Sequence, residues 1–380
     1  MRTIVVIPDS FKGTMSSLEV CGIMGRALAR QLPAVRVVAL PVADGGEGSV
    51  DAYLAAVGGR RVAVPVTGPL GEPVSGFYGL LDDGSAVVEM AAAAGLPLVK
   101  DQFAPERTST YGVGELILAA VGTGARRLIV GLGGSATTDL GTGAAAALGV
   151  RFYDAAGAAF TPVSGTLDRI ARIDASGLDP AVRDCAITVM CDIDNPLYGP
   201  RGAAYVFGPQ KGADQQMVER LDRGLRHACT VVERDCGVAV ADLPGAGAAG
   251  GMGAGMVAFC GAALRQGIDV VLEAERFDET VRGADLVITG EGCLDEQSLS
   301  GKVVVGVARR ARAQGVPVVA VVGDVRDGFE PVYEEGVAAV FSINHLAIPF
   351  AEAKPRAARD LDLAIDNLAR TLRLAGWDRA

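Results

Sequence analysis

Residues 3–19 read TIVVIPDSFKGTMSSLE, and this stretch decides the fold class. The β-branched apolar run at 3–8 predicts a strand buried on both faces, as in a parallel sheet. Ser16 and Glu19 fit the capping box S-x-x-E, which predicts that a helix begins after the loop DSFKGTM. Helical apolar spacing and a second apolar run at 35–42 follow. The chain therefore opens with a parallel strand–helix–strand unit.

The same rhythm returns near the C-terminus. Apolar runs at 284–289, 316–322 and 338–343 predict strands, and helical patterns occur at 302–314 and 352–374. The two ends of the chain therefore resemble each other, and the middle differs from both. We predict an α/β protein of two domains: a Rossmann-like parallel-sheet domain formed by both termini, residues 1–57 plus 279–380, and a mixed α/β domain inserted at 58–278.

The predicted insertion combines a hairpin with alternating helices and strands. Residues 60–84 contain two short apolar runs around the sequence TGPLGEP, which is typical of a β-hairpin. Further strands are predicted at 87–90, 128–131 and 186–191, and helices at 114–121, 217–232 and 252–264.

Composition limits the classes of function. The chain has 35 Lys and Arg against 45 Asp and Glu, a formal net charge of −10. This acidity argues against nucleic acid or an anionic membrane as the partner, because both require a cationic face. No apolar run approaches the ~20 residues that span a bilayer, and the N-terminus enters a strand without a signal peptide. Seven cysteines without a CxxC pair, and only two histidines, argue for reduced thiols and against zinc. We expect a cytoplasmic protein that acts on a small molecule.

Two loops near the start of the chain bring a cation and carboxylates to one sheet edge. Asp9, Ser10 and Lys12 follow the first strand, where open α/β sheets bind their ligands. Asp44 and Glu47, in PVADGGEG at 41–48, follow the second strand. Acids beside a phosphate site are explained by Mg²⁺ between them, since magnesium prefers oxygen ligands. The alternative is a glycine turn whose acids face water.

Two further loops follow strands of the predicted insertion. Gly133, Gly134 and Ser135 either present backbone N–H groups to an anion or make an ordinary tight connection to a helix. Asp192, after the strand 186–191, is placed like a general base or a metal ligand, and Asn195 like a polar contact.

Lysines mark two more loops. Lys211 lies in FGPQKG at 207–212 and either binds a ligand or faces solvent. Asp295 and Lys302 lie in GEGCLDEQSLSGK at 290–302. No GxxxxGK[ST] sequence occurs, so a Walker P-loop is excluded. The loops together favour phosphoryl transfer with Mg²⁺, in which positioning and charge neutralisation do most of the catalysis.

A competing motif lies at 244–251, PGAGAAGG. Gly245, Gly247 and Gly250 satisfy GxGxxG, and Asp269 and Glu273 fall near the offset of a ribose-binding acid. A lone GxGxxG is a weak signal, the preceding Leu-Pro is a poor end for a central strand, and the motif lies far from the opening strand–helix–strand unit. Close helix packing or a nucleotide-lining loop is therefore the favoured interpretation, and a nicotinamide-dependent oxidoreductase acting on a small hydroxy acid is the runner-up.

Taken together, the loops resemble those of the bacterial type I glycerate kinase family. The matching stretches run in order from residue 4 to near residue 323: PDSFKGTMSS, LPVADGGEG, VTGPLG, TSTYGVGELI, GLGGSATTD, CDIDNPLYGPRGAAYVFGPQKGA, PGAGAAGGMGAG and ITGEGCLDEQSLSGK. The resemblance implies ATP-dependent phosphorylation of D-glycerate with Mg²⁺, usually at the 2-hydroxyl, giving 2-phosphoglycerate and ADP. It also implies two α/β domains with the active site in the cleft between them. Phosphorylation at the 3-hydroxyl, giving 3-phosphoglycerate, is the alternative, ahead of the oxidoreductase.

The chain departs from the family's usual loops at four positions. Thr138 and Leu140 stand where Asn and Gly are common, and Cys293 and Ser298 replace a usual Arg and Thr. Loss of the Arg removes a phosphate contact, which bears on ATP affinity and not on the reaction class.

Roles for single residues are hypotheses drawn from their positions. Lys12 is expected to hold phosphate or the substrate carboxylate, and Asp192 to accept the glycerate hydroxyl proton. Asp44 and Glu47 are expected to hold Mg²⁺. Substrate and phosphate binding is expected from Asp9, Ser10, Gly133, Gly134, Ser135, Asn195, Lys211, Asp295 and Lys302. A homodimer is left open, as is a non-catalytic sugar-acid sensor built on the same scaffold.

Overall fold

The computed structural model describes residues 1–42, 48–100, 102–300 and 302–378. Its strands are β1 (Thr3–Pro8), β2 (Arg36–Ala39), β3 (Gly59–Thr67), β4 (Pro73–Leu81), β5 (Ala86–Glu89), β6 (Arg127–Gly131), β7 (Arg151–Tyr153), β8 (Ala159–Phe160), β9 (Arg172–Asp174), β10 (Ala186–Met190), β11 (Ala263–Arg265), β12 (Leu286–Gly290), β13 (Cys293–Leu294), β14 (Val318–Val322), β15 (Asp324–Val325) and β16 (Val337–Ser342). Its α-helices are α1 (Ser17–Gln31), α2 (Ser49–Val57), α3 (Ala91–Ala94), α4 (Tyr111–Gly122), α5 (Thr142–Ala147), α6 (Pro180–Arg183), α7 (Ala203–Phe207), α8 (Gln215–Cys236), α9 (Met252–Cys260), α10 (Gly267–Ala274), α11 (Phe277–Val281), α12 (Val303–Ala313), α13 (Phe350–Ala353) and α14 (Ala357–Leu374). Short 3₁₀ helices lie at Leu96–Leu98, Pro105–Arg107, Ser164–Arg169, Pro209–Lys211, Ala248–Gly251, Glu296–Ser300, Glu330–Tyr333 and Lys354–Arg356.

The chain divides into two compact units. The first comprises Met1–Asp44, Ala55–Val57 and Gln266–Ala380, and the second comprises Gly45–Leu54 and Gly58–Arg265. The boundary at which the chain returns from the second unit to the first falls after residue 265, and not after the predicted residue 278. Helix α10 belongs to the first unit because it packs on α12. Ile268 of α10 lies so close to Gly306 of α12 that a Cβ added at Gly306 would be 2.6 Å from the Ile268 side chain.

The first unit is built on a five-stranded parallel sheet with the order β16-β14-β12-β1-β2. The predicted Rossmann-like sheet formed by both ends of the chain is therefore confirmed. Strand β1 occupies the predicted residues 3–8, and its apolar side chains are fully buried because helices cover a parallel sheet. The register pairs Pro8 with Gly290, so the carboxyl ends of β1 and β12 lie side by side.

The second unit is built on a six-stranded sheet with the order β11-β10-β6-β5-β4-β3. Strands β5, β6, β10 and β11 run parallel, while β3 and β4 pair as an antiparallel hairpin. The mixed α/β class and the hairpin are therefore confirmed. Met190 pairs with Gly131 and Gly131 with Glu89, so the loops after these three parallel strands leave the same sheet edge.

The predicted helix over 252–264 is wrong in its last turn. Helix α9 ends at Cys260, because Gly261 adopts φ +65° and terminates it in the left-handed conformation. The chain then enters β11, which pairs with β10. In the part of the chain that the structure describes, no helix is long and apolar enough to cross a membrane.

The glycines of 245–251 serve close backbone packing. An added Cβ at Gly245 would lie 2.4 Å from the Cys191 sulfur, and one at Gly250 would lie 2.0 Å from the Thr137 carbonyl oxygen. Gly247 likewise lies against the carbonyl oxygen of Pro196. The GxGxxG pattern does not follow a strand, and the backbone and side chains of other loops occupy the space beside its glycines. The spacing is thus explained without a dinucleotide, and the packing interpretation accounts for it.

We predict that Gly250→Ala destabilises the protein by about 3 kcal/mol, because it combines a left-handed backbone, φ +69°, with a backbone clash. Gly261→Ala is the matched control, since Gly261 has φ +65° and nothing within 4 Å of an added Cβ. It is expected to cost about 1 kcal/mol. Urea denaturation of both variants measures the difference, and equal costs would show that the 245–251 loop is not closely packed.

Candidate active site

The loop after β1 presents Lys12 on a fixed backbone. Phe11 is buried, and its N–H donates to the Met15 carbonyl at 2.8 Å, which closes a small turn. Asp9 is also buried, and its carboxylate accepts the Ser10 N–H at 2.6 Å. Lys12 itself is exposed at the turn. Of the predicted residues here, Lys12 therefore points to solvent, while Asp9 and Ser10 help to shape the loop.

The N-terminus of α1 is already capped. The Ser16 N–H donates to Glu19 Oε2 at 2.8 Å, and the Glu19 N–H donates to Ser16 Oγ at 3.3 Å, so the predicted capping box is confirmed. These contacts occupy donors that an anion would otherwise use. The cation available at this loop is therefore the Lys12 ammonium and not the helix end.

The loop after β12 contains Glu291, which our site prediction omitted. Glu291 is 5% exposed, and its Oε1 has no hydrogen-bond partner among the described residues. Burial raises the pKa of this carboxyl to about 7, while a hydrogen bond with the Ser298 hydroxyl and the charges of Lys302 and Lys12 oppose the rise. Asp295 adds to it. The structure thus brings the predicted Lys12, Asp295 and Lys302 around a carboxylate that sequence reasoning missed.

Glycines on both sides of Glu291 allow close backbone packing. A Cβ at Gly290 would lie 2.0 Å from the Val321 carbonyl oxygen of β14, and one at Gly292 would lie 3.1 Å from the backbone nitrogen of Lys12 in the β1 loop. The sequence signal was therefore available: a single Glu between two glycines, directly after a buried central strand.

Lys302 sits at the start of α12. It is the N-cap residue, it is half-buried, and its side chain makes no capping hydrogen bond. A lysine side chain has no acceptor atom, so Lys302 does not cap the first N–H groups of α12, and a helix N-terminus is a position that favours an anion.

The loop after β6 carries the predicted anion-binding glycines. Gly134 adopts φ +74°, and its carbonyl accepts the Leu96 N–H at 2.8 Å. In the described parts of the chain, no hydrogen bond is recorded for the N–H groups of Gly133 and Gly134. Ser135 beside them is half-buried. The geometry suits the predicted backbone nest, whose ligand stays a prediction.

Two buried charged residues, Asp139 and Lys211, hold the loop after β6 in place through hydrogen bonds. Asp139 is fully buried and accepts hydrogen bonds from the Thr110 N–H and hydroxyl, both at 2.8 Å, and from the N–H groups of Gly141 and Gly143. Burial raises its pKa above the ordinary value.

Lys211 does not occupy the place that the sequence suggested. It is 2% exposed, and its Nζ donates to the Thr137 carbonyl at 2.5 Å. Burial lowers its pKa to about 8, while Asp139 opposes this. Neither a solvent-facing lysine nor an open ligand contact describes this side chain, because a carbonyl 74 residues away in sequence holds it inside the unit.

The loop after β10 holds Asp192 and Asn195. Asp192 is half-buried, one residue beyond Cys191. The Asn195 side-chain amide donates to the Arg201 carbonyl at 2.8 Å, and the Asn195 backbone carbonyl accepts the Gly247 N–H at 2.9 Å. Asn195 therefore stabilises its loop, and Asp192 is held at the sheet edge that also carries the Gly133–Ser135 loop.

The predicted metal ligands Asp44 and Glu47 lie outside the described residues. The residues that follow them are anchored: Glu89, at the end of β5, is buried and accepts the Val50 N–H at 2.5 Å and the Gly48 N–H at 3.3 Å. Across residues 1–42, 48–100, 102–300 and 302–378, no group of three His, Cys, Asp or Glu side chains forms a metal cluster.

Lysines, glycine loops and carboxylates lie at the carboxyl ends of parallel strands, the position at which α/β enzymes bind small molecules. The Glycerate kinase family model matches residues 4–373. A Bacillus subtilis glycerate kinase is 46% identical over 98% of both chains, and an Escherichia coli glycerate 2-kinase is 44% identical over 97% of both. A solved Salmonella typhimurium LT2 structure described as glycerate kinase 2 aligns with a TM-score of 0.88 and 44% identity over 99% of both chains. This chain belongs to the glycerate kinase family, and it is an enzyme.

We predict that Lys211→Met lowers the free energy of unfolding by about 1–3 kcal/mol at pH 7, because the Thr137 carbonyl loses its donor. The pKa of Lys211 is lower in the native state than in the unfolded chain, so its contribution to stability increases as the pH rises above 8. The difference in the free energy of unfolding between the unmodified protein and Lys211→Met should therefore increase by about 2–3 kcal/mol between pH 8 and pH 10.

Urea denaturation across this pH range measures that difference. Lys100→Met is the control, because Lys100 is exposed in the same unit. A Lys211 difference that stays flat with pH, like the control, would contradict the buried position.

Proposed function

We propose that this enzyme transfers the γ-phosphoryl group of ATP to the 2-hydroxyl of D-glycerate, giving 2-phosphoglycerate and ADP, with Mg²⁺. The observation that carries the proposal is that the loops after β1 and β12 bring the charges of Lys12 and Lys302 to bear on the buried carboxyl of Glu291, whose pKa they lower. Membership of the glycerate kinase family supports the substrate class. The 2-hydroxyl follows the name of the E. coli relative, glycerate 2-kinase.

The residues present suit a Mg²⁺–nucleotide. Magnesium prefers oxygen ligands, and the first unit holds a buried carboxylate oxygen, Glu291 Oε1, that has no hydrogen-bond partner among the described residues. We propose Asp44 and Glu47 as the groups that hold the ion. When bound, Mg²⁺ supplies positive charge to the β- and γ-phosphate oxygens.

The chain's own groups divide the remaining work. We propose that Lys12 and Lys302 neutralise charge on the transferring phosphoryl group, with the N-terminus of α12, where Lys302 is the N-cap residue, favouring the same anion. The N–H groups of Gly133 and Gly134 would bind the glycerate carboxylate. Asp192 would accept the proton of the 2-hydroxyl as its oxygen bonds to the γ-phosphorus and the bond to ADP breaks.

We also propose a cytoplasmic location. All seven cysteines are free thiols in the structure, which is the usual state in a reducing compartment.

A coupled assay tests the reaction and its position. The enzyme is incubated with ATP, Mg²⁺ and D-glycerate, and enolase is added with or without phosphoglycerate mutase. Direct consumption by enolase shows 2-phosphoglycerate, and a requirement for the mutase shows 3-phosphoglycerate. ADP release that does not depend on glycerate would contradict the proposal, as would NADH formation from glycerate and NAD⁺.

We predict that Lys12→Met and Lys12→Arg each lower kcat/KM for ATP by about 100-fold, or ~2.7 kcal/mol. A guanidinium is larger and planar, so it does not replace a point charge on a short turn. Lys354→Arg is the matched control, because Lys354 is an exposed lysine of the same unit. Steady-state kinetics measures the effect, and a fully active Lys12→Arg enzyme would show that only net charge matters there.

We predict that Asp192→Asn lowers kcat by about 100-fold or more, because the amide cannot accept the hydroxyl proton. Asp194→Asn is the control, since Asp194 is exposed two residues away. Near-normal kcat in the Asp192 variant would rule out Asp192 as the base.

A further inference from the structure

We propose that Lys211 is a positioning residue for substrate binding: by holding the Thr137 carbonyl, its side chain keeps the 133–135 loop in the conformation that binds the glycerate carboxylate. The proposal rests on the function proposed above, and it goes further because no reaction step proposed there uses Lys211. Every contact on which it depends lies within the second unit.

The segment 137–140 begins one residue beyond the 133–135 loop, and hydrogen bonds hold its first two residues. Lys211 ends the 3₁₀ helix before α8, and its Nζ donates to the Thr137 carbonyl at 2.5 Å. The N–H of the next residue, Thr138, donates to Ser164 Oγ at 3.0 Å. The first half of the segment is therefore tied to two parts of the chain that lie far apart in sequence.

The second half of the segment is tied down in the same way. The Asp139 carboxylate accepts the Thr110 N–H at 2.8 Å, and the Leu140 N–H donates to the Gly250 carbonyl at 3.1 Å. Four consecutive residues are thus held by four different parts of the unit. The end of the 133–135 loop can move only if at least one of these contacts breaks.

The loop itself is held by backbone contacts on its other side. The Gly134 carbonyl accepts the Leu96 N–H at 2.8 Å, and the Ala136 N–H donates to the Ala94 carbonyl at 2.9 Å. Neither contact uses the N–H groups of residues 133 and 134, which we proposed as the donors to the glycerate carboxylate. The direction of these N–H groups is set by where both ends of the short loop stand.

The segment also carries several features that disfavour folding. Leu140 adopts φ +55°, which is rare for a residue with a side chain. The hydroxyls of Thr137 and Thr138 are buried and have no hydrogen-bond partner among the described residues. Lys211 is 2% exposed, and in the ranges that the structure describes its three N–H donors find one acceptor. Strain and unsatisfied polar groups in one place are expected where function requires that conformation.

Loss of the Lys211 donor should weaken the binding of one substrate and not of the other. Without that donor the Thr137 carbonyl is released, and the loop spends part of its time in conformations that do not bind the carboxylate. The apparent dissociation constant then rises in inverse proportion to the fraction of competent loop. The lysines proposed for ATP lie in the first unit, so ATP binding does not depend on this loop.

The kinetic test compares Lys211→Met, Lys211→Gln and Tyr78→Phe, each well below its own melting temperature. We expect Lys211→Met to raise KM for D-glycerate about tenfold, while kcat and KM for ATP change by less than about threefold. Lys211→Gln keeps a donor that is one bond shorter, so the loop must shift to meet it. We expect this variant to raise KM for D-glycerate about threefold, and it carries the test if Lys211→Met does not fold.

Tyr78→Phe is the matched control. It removes another bond from a side chain to a backbone carbonyl in the same unit, since the Tyr78 hydroxyl donates to the Ala119 carbonyl at 3.4 Å. It should leave both KM values and kcat unchanged, because that bond holds no part of the loop.

Hydrogen exchange of the protein without ligands tests the positioning directly. We expect peptides that cover residues 131–138 to exchange about tenfold faster in Lys211→Met, and peptides that cover β3 and β4 to stay unchanged. Unchanged exchange at 131–138 would overturn the positioning. Faster exchange with an unchanged KM for D-glycerate, or an equal rise in both KM values, would overturn the role in substrate binding. Because the exchange experiment contains no substrate, failure of the enolase assay would overturn the proposed reaction and leave the positioning result intact.

Discussion

The parallel pairing of β1 with β12 is the contact on which the first unit depends. It joins strands that are 282 residues apart in sequence, and it is reinforced at its carboxyl end: the Thr289 hydroxyl donates to the Ile7 carbonyl at 2.8 Å, and the Asp9 N–H donates to the Gly290 carbonyl at 2.8 Å. Closing so long a loop costs conformational entropy before any contact is gained, so the apolar runs on both strands must be strong. Both runs meet this requirement, because the aliphatic side chains at the centre of each strand are fully buried.

This pairing also creates the chemistry of the unit. A parallel pair ends at one edge, so the residues after Pro8 and after Gly290 become neighbours although neither loop predicts the other. Lys12 and Glu291 lie on these two loops. The opposing charges are thus brought to neighbouring loops by strand register, and Gly292 lets its loop lie closely against the backbone of Phe11 and Lys12.

Local sequence predicted the elements whose causes are local. The run at 3–8, the capping box of Ser16 and Glu19, and the hairpin around TGPLGEP each depend on residues that are close in sequence. It failed where the cause is a distant group. The burial of Lys211 depends on the Thr137 carbonyl, which is 74 residues away in sequence. For the glycines of 245–251 the sequence indicated close packing but not the backbone that they pack against, at 137–138 and 195–196. Burial of Glu291 needed the sheet order, although its GEG setting was visible. The helix predicted to 264 failed for a local reason, the left-handed Gly261, that pattern periodicity does not see.

Lysine is rare in this chain, and its few side chains have different surroundings in the two units. The chain contains five lysines and thirty arginines, and three of the five lysines lie in the loops discussed above. Arginines serve exposed bidentate pairs such as Arg220–Glu106. A guanidinium at position 211 would bury five donors where one carbonyl is available, so the compact ammonium suits that place.

Lys12 and Lys302 are likewise compact ammonium groups, and their charges act on the buried carboxyl of Glu291. In the second unit the buried Asp139 accepts hydrogen bonds from the Thr110 N–H and hydroxyl, and it holds a loop. In the first unit Glu291 Oε1 is buried and has no hydrogen-bond partner among the described residues. A buried charge whose hydrogen bonds are satisfied stabilises one conformation, whereas a buried carboxyl with an unpartnered oxygen disfavours the fold locally.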